Sequence, residues 1–138
     1  MTQNTPDLWP MDFGPVDAHL PVVILREQAA LLSKKTSGLV QAEVRTSSRE
    51  HSALKIACDF EHRFYLIAPA LDNYRYYLFM VGHGAADLYP VHFYPRESEG
   101  EDVELRSEKE FLNKLAEVFS SDDTRRIIQT LIAQSQAA

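Results

Sequence analysis

One cysteine, Cys58, stands in 138 residues. It excludes an intramolecular disulfide and fits a reducing compartment. No stretch approaches the ~18 consecutive apolar residues of a membrane-crossing helix. The opening Met1-Thr2-Gln3-Asn4-Thr5-Pro6-Asp7 lacks the basic start and apolar centre of a secretory signal. A cytoplasmic protein with no membrane partner is the expectation. Basic charge is also scarce, with 14 Lys and Arg against 20 Asp and Glu for a net charge of −6. Nucleic-acid binders usually carry a basic patch or stripe, so nucleic acid is not an expected partner.

Chemical signatures are missing as well. The five histidines, His19, His51, His62, His83 and His92, are far apart in sequence. A metal pair normally shows tight spacing, such as one helical turn, so no metal is expected. Gly82-His83-Gly84-Ala85-Ala86-Asp87 lacks the strand-to-helix setting of a phosphate-binding loop, and no cofactor is expected. There is no nucleophile elbow, zinc-protease motif or kinase set. Cys58 falls in a stretch where Ile56, Cys58 and Phe60 share one apolar face, which raises a thiol pKa and favours a structural role. The chain reads as non-catalytic.

Aromatic residues are what the chain does have. Ten of fourteen lie between Phe60 and Tyr94, in segments with strand character. That density is too apolar for a sheet with one face in water. The length suits one domain spanning 1–138. Residues 1–20 hold Pro6, Pro10 and Pro15 with Trp9, Met11 and Phe13, which predicts an extended arm that packs on its own domain or on a neighbour. Pro21 opens a helix over 21–36, with Ile24, Leu25, Ala29, Leu31 and Leu32 on its apolar face and Gly38 as its stop.

Residues 39–95 read as an antiparallel sheet, with strands over 39–46, 52–60, 64–68, 74–81 and 89–94. Pro90 and Pro95 place the last of these at a sheet edge. Residues 96–106 hold Glu97, Glu99, Glu101, Asp102 and Glu104 and read as a solvated acidic loop. Ser107-Glu108-Lys109-Glu110 is a capping box, and 107–135 form a helical hairpin. The expected fold class is α+β, a meander of about five antiparallel strands with one N-terminal helix and a C-terminal αα-hairpin packed on it.

A two-residue turn at Asp72-Asn73 sets Ile67 opposite Leu78 and Leu66 opposite Phe79. One face then holds Tyr65, Ile67, Leu78, Met80, Val91 and Phe93 as ordinary core. The other holds Phe64, Leu66, Ala68 and Val81 with a mixed set: Arg75, Tyr77, Phe79, His92 and Tyr94. Tyr and Arg are the residue types that carry interface hot spots. These five, with Trp9 from the arm, are the expected partner-binding residues. The function they suggest is a non-catalytic protein-binding module: an adaptor, an immunity-type inhibitor or a homodimerising accessory protein. Its partner is another protein or a second copy of itself. The alternative is a small-ligand-binding or hydrolytic domain whose pocket uses His83, Asp87, His92 and Tyr77.

Overall fold

A computed structural model describes residues 4–15, 19–48, 58–96 and 102–138. Helix α1 (Pro21–Lys35) precedes strands β1 (Gln41–Ser48), β2 (Phe60–Ala68), β3 (Tyr74–His83), β4 (Val91–Pro95) and β5 (Val103–Leu105). Helices α2 (Glu108–Phe119) and α3 (Asp122–Ala137) close the chain. The five strands form one antiparallel sheet in the order β1-β2-β3-β4-β5, so the fold is an α+β meander. Among the described residues no helix is long and apolar enough to cross a membrane.

Local chemistry sets the helices. Pro21 sits in the first turn of α1, where its missing N–H costs nothing. Gly38 closes that helix with φ 79°, and its N–H donates to the Ser33 carbonyl at 2.8 Å. The Thr36 hydroxyl accepts from the Val40 N–H at 3.1 Å and donates to the Val40 carbonyl at 2.8 Å, which fastens the turn to the start of β1. Ser107 accepts from the Glu110 N–H at 3.2 Å and Ser121 from the Thr124 N–H at 3.3 Å, so both C-terminal helices are capped.

All three helices lie on one side of the sheet. Ile24, Leu25 and Ala29 of α1, Phe111 and Leu115 of α2, and Leu131 of α3 share a core with Phe64, Leu66, Phe79, Val81, Val91 and Phe93. Its centre is aromatic. Phe64 and Phe79 are cross-strand partners with ring centroids 5.1 Å apart and planes within 7°. Phe93 flanks Phe79 at 5.1 Å, and Phe119 tilts onto Phe64 and Phe79 at 5.4 and 5.9 Å. Such pairs add ~0.5–1.5 kcal/mol each beyond the area they bury.

Several strand boundaries depart from the sequence reading. The strand expected over 52–60 lies largely outside the described residues, since 49–57 are not among them. β1 instead pairs directly with β2, from Gln41 opposite Ile67 to Ser48 opposite Phe60. β2 absorbs Glu61, His62 and Arg63, which fall between the strands expected over 52–60 and 64–68. Part of the expected acidic loop is strand β5, which pairs with β4 from Val91 opposite Leu105 to Phe93 opposite Val103. β4 is therefore an inner strand rather than an edge. Pro90 stands just before it and Pro95 at its last position, so neither interrupts the ladder.

The β2–β3 register differs too. A 3₁₀ turn (Pro69–Leu71) plus Asp72 and Asn73, both left-handed with φ 59° and 55°, replaces the two-residue turn. Ile67 pairs with Arg75, Leu66 with Tyr76 and Tyr65 with Tyr77. A bulge then brings Phe64 opposite Phe79. The residue it adds is Leu78, and both Leu78 and Phe79 are buried.

Candidate functional site

The sheet face turned away from the helices carries Glu43 and Arg45 of β1, Arg63, Tyr65 and Ile67 of β2, Arg75, Tyr77 and Met80 of β3, and His92 and Tyr94 of β4. Register places them there. Each lies opposite another member of the set or one strand step from it. No described helix covers this face. Its aromatic side chains are half-buried, and among the described residues they pack on one another and on Cys58.

Two clusters stand on it. In the first, Tyr65 and Tyr77 meet at 5.7 Å between centroids. The Arg75 guanidinium lies 4.3 Å over the Tyr65 ring and donates to Glu43 at 3.2 Å. Glu43 also takes Arg45, and Arg63 donates to Ser47 at 3.3 Å. Packing against its neighbours pushes the Tyr77 phenol pKa up, so its hydroxyl stays protonated as a donor. Arg stacked on Tyr and held by a carboxylate has its planar fork fixed in advance.

The second cluster centres on Tyr94. Its hydroxyl lies 3.9 Å from the Cys58 sulfur, and burial raises both their pKa values. The thiol sits over Gly82, where a Cβ would stand 2.7 Å from its sulfur, so this glycine is needed for the close approach. His92 Nδ1 and Asp102 Oδ2 pair at 2.5 Å beside it.

Four of the six expected contact residues, Arg75, Tyr77, His92 and Tyr94, share this open face. Phe79 does not. It is fully buried on the helix-covered side, because the bulge reverses side-chain direction between Tyr77 and Phe79. Trp9 is on the arm, 74% exposed, with its ring 6.0 Å from that of Phe13. The expected core pairing of Tyr65, Ile67 and Met80 with Leu78, Val91 and Phe93 is split. The first three face outward, and the last three are buried under the helices.

The alternative pocket of His83, Asp87, His92 and Tyr77 does not converge. His83 is on the covered side and His92 on the open side, while Asp87 is exposed in the β3–β4 connection. No group of three metal-ligating side chains occurs among the described residues.

His83 has a different partner, which its sequence neighbourhood does not reveal. Its Nδ1 donates to the Gly84 carbonyl at 2.8 Å, which leaves Nε2 bare. His62 Nε2 stands 2.9 Å from it and supplies the proton. His62 Nδ1 then accepts from the Thr46 hydroxyl at 2.9 Å. Both histidines are satisfied, and burial with the nearby His83 and Arg26 pushes the His62 pKa down to about 4. Inward alternation along β2 is the signal that would have found His62.

The chain matches no protein-family model, no curated protein and no solved structure at a significant level.

Proposed function

We propose that the protein is a non-catalytic, cytoplasmic binding module that docks a second protein on its open sheet face. The observation carrying this reading is the pre-set cluster of Tyr65, Tyr77 and Arg75 on a face that no described helix covers. Tyr and Arg lose little side-chain freedom when already stacked, and they supply both apolar area and directed donors. Tyr94 and His92 extend the contact toward β4. Asp102 and Glu104 sit at its far edge. A basic patch on the partner complements that edge, so association slows as salt rises.

Native mass spectrometry of protein gently purified from its own source tests the reading. Wild type should carry a second protein at fixed stoichiometry. Tyr77→Ala and Arg75→Ala should each lose it by at least about tenfold while staying folded. A partner kept by both variants, or none on wild type, removes the proposal.

A further inference from the structure

The N-terminal arm presents an apolar surface that its own domain does not take up. Leu8, Trp9, Met11 and Phe13 are 84%, 74%, 102% and 77% exposed. Four large apolar side chains within six residues, all in water, form a patch of the kind that marks an interaction site. The segment is also shaped. Asp7 accepts from the Trp9 N–H at 3.1 Å and Asp12 from the Gly14 N–H at 2.9 Å, so two carboxylate-closed turns carry Leu8 and Phe13. Trp9 and Phe13 meet across that bend.

The same chain carries a matching recess. Between α1 and α3, above the sheet core, lies a cavity of about 240 Å³, on the scale of one large aromatic side chain. Leu31, Leu32, Phe119 and Ile128 are among its walls. Leu31, which helical periodicity assigns to the buried face of α1, is instead 46% exposed there. Lys35 stands at the rim with Lys34 beside it, both exposed. Residues 4–15 carry Asp7 and Asp12 and no basic residue. Apolar centre and charged edge are thus complementary between arm and recess.

We propose that the arm of one copy docks in the α1–α3 recess of a second copy, Trp9 filling the cavity and the arm aspartates meeting Lys34 and Lys35. A single chain holds both halves and leaves them apart, which is why a second copy is the occupant. Reciprocal exchange closes a two-fold dimer with two identical contacts and no open end. A Trp and a Phe bury about 150–250 Å² each. The four aromatic side chains of two arms supply about 600–1,000 Å², to which Leu8, Met11 and the recess walls add toward the ~1,200–2,000 Å² of a specific interface. This surface is distinct from the open sheet face, and the inference stands or falls without it.

Trp9 is the only tryptophan, so its fluorescence reports the contact directly. Sedimentation equilibrium and emission spectra are recorded together over a wide concentration range. The expected result is a monomer–dimer equilibrium whose dimer fraction tracks a blue shift of Trp9. Trp9→Ala, in the exposed arm, and Leu31→Glu, on the recess rim, should each weaken dimerisation by about thirtyfold or more. Mixing the two variants should restore a heterodimer through the one intact arm and recess. Three outcomes overturn the proposal. One is a monomer at every concentration. Another is a dimer whose Trp9 emission stays that of an exposed indole. The last is a blue-shifted monomer, which means the arm folds onto its own recess. None of these touches the sheet-face reading, because Tyr77 and Arg75 lie on the opposite side of the sheet.

Discussion

Tyr77 and Phe79 are two positions apart in one strand and perform opposite tasks. Phe79 is enclosed by Phe64, Phe93 and Phe119, so Phe79→Ala opens a cavity at the centre of the core. The expected cost is about 3–5 kcal/mol in urea unfolding. Tyr77→Ala, on the open face, should cost under about 1.5 kcal/mol. Equal losses for the two would mean that the open face is core. His62 supplies a second residue-level expectation. Its folded pKa of about 4 lies below the ordinary 6.5, so the unfolded chain takes up the proton first. The neutral relay is fully effective above pH 6.5. As pH falls from 6.5 toward 4 stability drops by about 1.4 kcal/mol per unit, on the order of 3 kcal/mol in all. His62→Gln keeps an amide donor and does not titrate, so its unfolding midpoint should be flatter between pH 6.5 and 5 than that of wild type. Parallel curves for the two proteins would assign the acid sensitivity to other groups.

At the scale of elements, the helices were the most legible part of the sequence. Pro21, the Ser107 capping box and the apolar periodicities put each within a few residues of its place. Ser107→Ala should remove one capped N–H and lower stability by about 1 kcal/mol, measurable as a shift in thermal midpoint. An unchanged midpoint would show that the packing of Phe111 and Leu115 alone fixes α2. The strands were legible as a set but not in register. Phe64, Leu66, Phe79 and Val81 group correctly from alternation alone, because that end of the β2–β3 pair keeps the expected parity. The bulge at Leu78 is invisible to a period-two pattern. So is the five-residue connection through Pro69–Leu71, which needs two consecutive left-handed residues at Asp72 and Asn73. The β4 register differs as well, placing Tyr94 opposite Met80 and Phe93 opposite Val81. Two displacements of opposite effect therefore leave Arg75, Tyr77, His92 and Tyr94 on one side. β5 was hidden for another reason: three residues among carboxylates give no periodic signal.

For the whole molecule, the arrangement is lopsided: three helices on one side of the sheet, an aromatic and charged surface on the other, and an apolar arm extending from the N-terminal end of α1. The density of aromatic residues announced that both faces need cover, and the helices supply it for one. Strand order equals chain order, so each strand finds its neighbour in the segment just before it. Contacts of that kind close short loops and favour rapid folding. The layer that seals Phe64, Phe79 and Phe93 comes last along the chain, in α2 and α3. A growing polypeptide therefore forms its sheet while the side carrying Phe64, Phe79 and Phe93 is still wet. The helical hairpin then acts as the latch, and any delay before it closes is the interval in which this protein is most prone to stick to others.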